Sequence, residues 1–262
     1  MGSAMATRRK TKSSKSTRTS SKPTKRKSQS AKKQSRPFRP FRWLLRQGFK
    51  LGVIVAGFLM AMVVIYAGLN PPTTHTMWSE GRRLGAPVDQ HWVDVDKIAP
   101  VMLRSAVAAE DANFCNHWGF DTDAIRAAIA SGAQRGGSTI SQQTVKNVYL
   151  WQQRSYIRKA LEAIMTPAVE AVWSKRRILE VYLNIAEFDE GVFGIEAASR
   201  HYFGIGPDRL SARQAALLAS VLPSPKKRNA ARPTSFLDRR ARAIQSGAAT
   251  IAADGRADCF QN

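Results

Sequence analysis

One uncharged apolar segment constrains this chain more than any other feature. The run LGVIVAGFLMAMVVIYAGL, residues 51–69, contains no charged side chain. At about 1.5 Å rise per residue, a helix of this length nearly spans a hydrocarbon core of about 30 Å. Arg42, Arg46 and Lys50 precede the run, so the positive-inside rule places the N-terminus in the cytoplasm. The sequence predicts an uncleaved anchor over residues 43–69, rather than a signal peptide or a buried core helix.

The basic character of the chain is concentrated before this apolar run. The formal net charge is +22, yet residues 1–50 contain 17 of the 41 Lys and Arg residues and no Asp or Glu. The other 24 basic and 19 acidic residues nearly balance. Residues 1–42 have few apolar side chains, so we predict a disordered cytoplasmic tail. Such a tail could bind nucleic acid, but a membrane span separates it from the rest, and no nucleic acid is expected.

A mainly α-helical domain is predicted beyond the membrane span. We expect a loop-rich linker with one short strand over residues 70–96, the domain over residues 97–255, and a C-terminal tail over residues 256–262. The first domain helix should begin with Asp96 as its cap, and the fourth should be bent or interrupted at Pro167. Later helices should be capped by Ser174 and Ser211 and should end at Gly204 and Pro223.

The chain contains two cysteines, Cys115 and Cys259. An extracytoplasmic compartment permits a disulfide, but two thiols so far apart in sequence do not predict one. We therefore expect free thiols. Their spacing does not fit a zinc site.

Two adjacent carboxylates follow an apolar helix in AAEDANFCNHWGFD, residues 108–121. Glu110 and Asp111 are costly to bury there, so they either face water or take part in chemistry. Glu162 is a second acid within an apolar helix. Two carboxylates in one cleft can perform acid and base steps on a sugar. Each glutamate taken alone is more simply explained as part of a solvated helix face.

Hydrogen-bonding side chains fill RGGSTISQQTVKN, residues 135–147. On a helix, Thr139, Gln143, Lys146 and Asn147 share one face, which suits a polyhydroxylated or phosphorylated ligand. The two glycines let backbone N–H groups approach an anion. The alternative is a solvated polar helix after a glycine turn. Further on, Arg158 and Lys159 lie one turn before Glu162, which indicates either a surface ion pair or a cationic site for phosphate.

Taken in order, these segments resemble the monofunctional biosynthetic peptidoglycan glycosyltransferases of family 51. The resemblance runs through residues 105–225 and rests on five matching segments: EDANFCNHWG, RGGSTISQQTVKN, RKALE, SKRRILEVYLNIAEF with GVFGIEAASRHYFG, and LSARQAALLASVLPSP. It implies a lysozyme-like, mainly α fold behind a single transmembrane helix, with a cleft that opens toward the membrane. It also implies a bacterial inner (plasma) membrane protein whose catalytic domain is periplasmic or extracytoplasmic.

The resemblance implies that lipid II is polymerised into β-1,4 glycan strands with release of undecaprenyl diphosphate and inversion at the donor C1. Glu110 would be the general base and Glu162 the second catalytic carboxylate. Lys146, Arg158 and Lys159 would offset the diphosphate charge. The other residues implied to shape the cleft or bind substrate are Asp111, Phe114, His117, Gly137, Ser138, Thr139, Gln142, Gln143 and Asn147.

No cofactor is implied as a requirement and no metal ligand is assigned, although some family members bind a divalent cation such as Mg²⁺ or Mn²⁺. His117 is expected to orient groups rather than to bind metal. Asp189 and Glu190 depart from the small residues usual before GVFG and are interpreted as loop variation. The basic tail is expected to bind anionic lipid headgroups or a cell-wall or division protein.

Three other functions fit parts of the sequence. A glycan-cleaving lytic transglycosylase would share the fold class but would not need the cations near Glu162. A non-catalytic membrane scaffold would not need the pair Glu110 and Glu162. A nucleic-acid protein would depend on the tail alone.

Overall fold

The computed structural model describes residues 40–130 and 137–261. Residues 1–39 of the predicted disordered tail lie outside the described residues, as do Arg135 and Gly136 of the glycine turn. Residues 40–42, which the prediction also assigns to that tail, are helical. The chain divides into two compact units, Met1–Gly48 and Phe49–Asn262. The second unit contains the sites discussed below.

The apolar run belongs to helix α1, Pro40–Gly68. Within the described residues, Phe41–Gly68 is the one helical stretch long and apolar enough to span a membrane, and its most apolar 18-residue window has a mean hydropathy of 2.4. Only 6% of its most apolar window is buried. A core helix of a globular domain would bury far more of such a surface, so the core-helix alternative is excluded.

The last turns of α1 belong to the second unit and pack against its other helices. Val63 is only 1% exposed, and the indole nitrogen of Trp173 donates to the Val63 carbonyl at 2.7 Å. The Arg177 guanidinium donates to the carbonyls of Tyr66, at 3.1 Å, and Leu69, at 2.7 Å. These carbonyls lie in or just after the last helical turn, where backbone acceptors lack helical partners. The end of α1 is therefore capped by side chains of the domain.

Ten helices follow α1 in the described part of the chain. They are α2 (His75–Leu84), α3 (Pro100–Glu110), α4 (Thr122–Ala130), α5 (Ile140–Tyr149), α6 (Tyr156–Val172), α7 (Lys175–Ile185), α8 (Ile195–Phe203), α9 (Ala212–Val221), α10 (Ser235–Ala253) and α11 (Asp258–Gln261). The mainly α fold with one candidate membrane helix is thus confirmed.

Three short strands form one small sheet in the order β1-β3-β2. They are β1 (Asp89–Gln90), β2 (Glu187–Asp189) and β3 (Val192–Phe193). β1 runs parallel to β3, with Asp89 opposite Val192, and β2 runs antiparallel to it, with Glu187 opposite Phe193. The sheet therefore joins the segment before α3 to the turn after α7.

The core surrounds α3. Its residues Met102, Leu103, Ala106 and Val107 recur at three-to-four spacing and are buried, as expected for one face of an amphipathic helix. α9 and α10 pack against α3, while α5 packs between α6 and α7. Because α3 is held on several sides, its last residue, Glu110, has a well-defined position.

Two helix predictions need correction. α3 begins at Pro100 and not at Asp96, because residues Val95–Lys97 form a separate 3₁₀ turn and Pro100 suits a first helical position. α6 continues through Pro167 without a break in the helix. The Thr166 hydroxyl, next to the proline, bonds back to the Glu162 carbonyl of the same helix at 2.7 Å. The capping residues Ser174 and Ser211 are confirmed.

Two segments predicted to be irregular are helical. The linker contains α2, whose cap Thr74 accepts a hydrogen bond from the Met77 backbone N–H. The C-terminal tail contains α11, and its Phe260 is fully buried.

The prediction of free thiols is wrong. Cys115 and Cys259 form a disulfide, with their Cα atoms 5.7 Å apart. α11 folds back against the 3₁₀ turn Phe114–Asn116, and this contact between distant segments is not visible in the spacing of the cysteines.

Candidate active site

Glu110 is the last residue of α3, and its side chain is only 13% exposed. Its Oε2 accepts a hydrogen bond from the Gln143 side-chain amide at 2.9 Å. Its Oε1 is buried without a hydrogen-bond partner among the described residues and lies 3.9 Å from the Arg240 guanidinium. One oxygen is thus held by a hydrogen bond, while the other has no hydrogen-bond donor among the described residues.

Burial raises the pKa of Glu110 above its ordinary value. The Gln143 amide and the charges of Arg240 and Arg228 act in the opposite direction, since each favours the ionised form. The result is a carboxyl group that is more basic than a solvated glutamate and that has donors and cations nearby. These properties suit a general base.

Asp111 has a different environment from Glu110. It is buried, with Oδ1 2.8 Å from Nε2 of His117 and Oδ2 accepting from the Ile140 backbone N–H at 3.0 Å. His117 itself is only 8% exposed in its side chain. Asp111 therefore joins the loop after α3 to the first residue of α5, and His117 orients it, as predicted for this histidine.

The start of α5 is fixed by three further contacts. Thr139 and Gln142 form a capping box, each side chain bonding to the other residue's backbone N–H. The Thr139 hydroxyl also donates to the Gly119 carbonyl at 2.7 Å. Gly119 has φ of +81°, and an added Cβ would lie 2.4 Å from the Thr166 side chain. Only glycine fits this position without strain.

Gln143, Lys146 and Asn147 line one cavity of about 330 Å³, which we call the polar cavity. The predicted shared face of α5 is confirmed for these three residues, whereas Thr139 serves as the helix cap. Glu80, Glu187 and Lys226 also line the polar cavity. Burial lowers the pKa of Lys146, while the carboxylates of Glu162 and Glu110 act to raise it.

Glu162 on α6 lies between two cations. Its side chain is 3% exposed, with Arg158 donating at 2.6 Å and Lys159 also bonded to it. The Lys159 amine is 3.4 Å from the Ser138 hydroxyl. The charge of Glu162 also acts on Lys146, so three cations lie near one carboxylate and the group has a net positive charge. We call Lys146, Arg158, Lys159 and Glu162 the cationic cluster.

A second cavity of about 270 Å³ adjoins Glu110. The predicted residues that line it are Glu110, Asp111, Gly137, Ser138 and Thr139. Glu110 thus lines this cavity, and Gln143, to which it is bonded, lines the polar cavity. Phe114 and Gln142 lie apart from both cavities. Phe114 is fully buried edge-on to His117, and Gln142 is buried in the capping box.

Several charged residues near the site were not predicted. Arg240 lies in a run of basic residues on α10 that has the pattern of a solvated face, and its position beside Glu110 depends on how α10 packs on α3. Glu80 lies on α2, where we expected a linker. Hydrogen bonding by Arg83, with a further contribution from Lys226, lowers the pKa of Glu80 to about 2.

Asp111, His117 and Asp121 are close enough for their ligand atoms to meet around one ion. Their oxygens already have other partners, however. Asp121 Oδ1 accepts from the backbone N–H groups of Asp123 and Ala124, and Oδ2 accepts from Asn113. Both oxygens of Asp111 are bonded as well. These three residues therefore do not fit a divalent cation without losing the contacts that fix the loop.

Residues 79–248 match the family model described as transglycosylase. The chain belongs to the transglycosylase family. The match begins in α2 and ends in α10, so it includes Glu110, the cationic cluster and Arg240. The predicted family and the prediction of a glycosyltransferase enzyme are both confirmed.

Three relatives of this transglycosylase are each named biosynthetic peptidoglycan transglycosylase. The protein from Jannaschia sp. (strain CCS1) is 59% identical over 221 residues, which cover 84% of this chain and 90% of the relative. The protein from Caulobacter vibrioides is 44% identical over 79% of this chain and 91% of its own length. The protein from Rhodospirillum centenum is 44% identical over 80% of this chain and 94% of its own length.

Proposed function

We propose that this transglycosylase polymerises lipid II into β-1,4 peptidoglycan strands and releases undecaprenyl diphosphate. The observation that carries the proposal is the position of Glu110, a buried carboxyl with one unpartnered oxygen, linked through Gln143 to a cavity that the cation Lys146 also lines. The family match and the names of the relatives support the same reaction class.

Glu110 acts as the general base. Its unpartnered Oε1 accepts the proton of the acceptor sugar's 4-hydroxyl as that oxygen attacks C1 of the donor sugar. Burial makes the carboxylate a stronger proton acceptor. The Arg240 guanidinium and the Gln143 amide keep it ionised and oriented before the attack.

The cationic cluster binds the leaving diphosphate. Arg158, Lys159 and Lys146 offset the charge that develops as the C1–oxygen bond breaks. Glu162 holds Arg158 and Lys159 in place through its two ion pairs. Displacement of an α-linked diphosphate to give a β link inverts C1, so no covalent sugar–enzyme intermediate forms. No step requires a metal ion or another cofactor.

The remaining predicted residues divide into two groups. Gln143, Asn147, Ser138 and Gly137 line the cavities and contact substrate. Asp111 and Thr139 also line the second cavity and fix the start of α5, whereas Phe114, His117 and Gln142 hold the geometry from behind.

Helix α1 anchors the enzyme in the bacterial inner membrane, with the N-terminus in the cytoplasm and the domain on the opposite side. The disulfide supports this topology, because disulfides persist in oxidising compartments. An anchored enzyme meets its lipid-linked substrates, lipid II and the growing glycan chain, within the plane of the membrane. The basic tail contacts anionic lipid headgroups at the cytoplasmic leaflet or a cell-wall or division protein.

The proposal is tested by lipid II polymerisation with purified full-length enzyme in detergent, read as glycan ladders on a gel. Glu110→Gln keeps the shape of the side chain and removes the base, so ladders should disappear. Glu190→Gln is the matched control, because Glu190 is an exposed acid that lines neither cavity. Shortening of preformed glycan by the wild type would point to lytic activity. Folded wild type that makes no ladders would point to a scaffold.

A further inference from the structure

The last residues of the domain hold the loop that follows Glu110. Residues 254–261, which we call the C-terminal clasp, include α11 and lie against the 3₁₀ turn of that loop. We infer that the clasp is a positioning element for Glu110, and that its disulfide sets how rigidly the loop over residues 111–119 holds the base. This inference rests on the proposed function.

The clasp contacts the first turns of α3, the helix that carries Glu110, and the loop just after the end of that helix. Gln261 donates to the Pro100 carbonyl at 2.9 Å and accepts from Arg104 at 3.0 Å. At the other end, Arg256 donates to the Ala112 carbonyl at 3.0 Å. The same Arg256 side chain is oriented by Asp254 at 2.9 Å. α3 and the first residues after it are therefore bridged by one short segment.

The clasp also holds the loop itself. Cys259 is joined to Cys115, and the neighbouring Phe260 is fully buried with its ring 6.3 Å from that of Phe114. Phe114 in turn packs edge-on against His117. Arg176 of α7 donates to the Phe260 carbonyl at 3.0 Å, so α11 is fixed to the domain from its other side.

The loop transmits this restraint to Glu110. His117 is bonded to Asp111, Asp111 accepts from the Ile140 N–H, and the helix that begins there presents Gln143 to Glu110. Each contact in this series is a hydrogen bond between buried or half-buried residues, and one of them uses the backbone N–H of Ile140. Displacement of the loop therefore changes both the orientation of Glu110 and its access to water.

A disulfide that served only overall stability would not need this location. The core of the domain already contains residues from α3, α5, α7, α9 and α10, and the fold does not depend on a covalent link to bury them. Removal of the disulfide is therefore expected to leave a folded enzyme whose loop is less restrained.

The test compares wild type with the double variant Cys115→Ser/Cys259→Ser, both full-length in detergent. The double variant contains no thiol, since the chain has only these two cysteines. We expect kcat for lipid II polymerisation to fall about tenfold, with KM changed less than twofold. Backbone amides of residues 111–119 should exchange with solvent at least tenfold faster, while those of α9 should not change.

The pH profile separates positioning from stability. The titratable and charged groups near Glu110 come from several elements. They are Asp111 of the loop, Lys146 of α5, Tyr182 of α7, and Arg228 and Arg240 of the C-terminal part of the domain. These groups are unchanged in the double variant. Greater hydration of Glu110 should therefore lower its pKa and move the acidic limb of kcat/KM to lower pH.

Two further variants separate the effect of the clasp from a general loss of stability. Arg256→Ala leaves the disulfide intact and should produce a smaller effect in the same direction. Tyr202→Phe loses a buried hydroxyl that bonds to Phe188 and Asp189, far along the chain from the clasp, and is a control for lost stability alone. The inference would be overturned if Tyr202→Phe, at the same loss of Tm, lowered kcat as much as the double variant does. It would also be overturned if amide exchange in the loop were unchanged in the double variant. Absence of polymerisation by the oxidised wild type would instead refute the proposed function. The amide exchange data would still test whether the clasp restrains the loop.

Discussion

The two adjacent acids at the end of α3 have opposite environments. Glu110 keeps one oxygen without a hydrogen-bond partner, whereas both oxygens of Asp111 are occupied by His117 and the Ile140 N–H. Both acids line the second cavity and both contact α5, but only Glu110 keeps an oxygen that no donor occupies. The pair thus consists of one reactive group and one structural group.

Removal of the Gln143 amide should change the pH dependence of catalysis. The amide donates to Glu110 and favours its ionised form, so Gln143→Met should raise the Glu110 pKa. Because the base works ionised, the acidic limb of kcat/KM should move to higher pH, the direction opposite to that expected for the disulfide variant. Kinetics between about pH 4 and 8 check this. An unchanged limb would contradict the assignment of Glu110 as the base.

Gly119 should be the least replaceable glycine near the site. In Gly119→Ala the new Cβ meets Thr166 and the backbone must also keep φ of +81°. We expect a loss of about 2–5 kcal/mol in the free energy of unfolding, from backbone strain and overpacking together. Gly85→Ala is the matched control, since Gly85 has φ of +69° with open space around it. Equal losses in denaturant unfolding would mean that the contact with Thr166 has no cost.

At the scale of elements, patterns of neighbouring residues predicted where the helices lie. They did not predict how distant helices pack against one another. Ser174 and Ser211 are recognisable caps because the cap and its partner lie three residues apart. The shared face of Gln143, Lys146 and Asn147 followed from helical spacing alone. The disulfide and the position of Arg240 beside Glu110 depend on α11 and α10 packing against segments more than a hundred residues earlier, which no local pattern specifies.

The junction of α1 and α7 offers a test at this scale. Arg177 donates to two carbonyls at the end of α1 and pairs with Glu180 at 2.8 Å. Lysine cannot reproduce this planar set of donors, so Arg177→Lys should destabilise the full-length protein by about 1–3 kcal/mol. Arg126→Lys changes only an exposed ion pair and should have little effect. Thermal unfolding in detergent distinguishes them, and equal Tm values would show that the cap contributes nothing.

At the scale of the whole molecule, charge and chemistry occupy different parts of the chain. The basic residues are concentrated before residue 51, whereas the residues that line the two described cavities begin at Thr76. A functional class inferred from net charge alone would have been a nucleic-acid binder. The order of short motifs along the domain indicated the correct functional class, a transglycosylase, because each motif places specific side chains on one helix or turn.

Deletion of residues 2–36 should therefore leave polymerisation in detergent unchanged within about twofold. The described residues that line the two cavities begin at Thr76, and Arg42, Arg46 and Lys50 remain to set the orientation of the anchor. Glycan ladders from the truncated and full-length enzymes provide the comparison. A large loss of activity would show that the tail takes part in catalysis itself.

The disulfide also sets an order of events during biogenesis. In the proposed topology Cys115 reaches the oxidising compartment 144 residues before Cys259. At synthesis rates of about 5–20 residues per second, its thiol waits roughly 7–30 s for its partner. The chain contains no third cysteine, so no incorrect bond can form within it during that interval. Covalent closure beside Glu110 thus waits until the segment that carries Cys259 has crossed the membrane, which couples maturation of the active site to the export of α11.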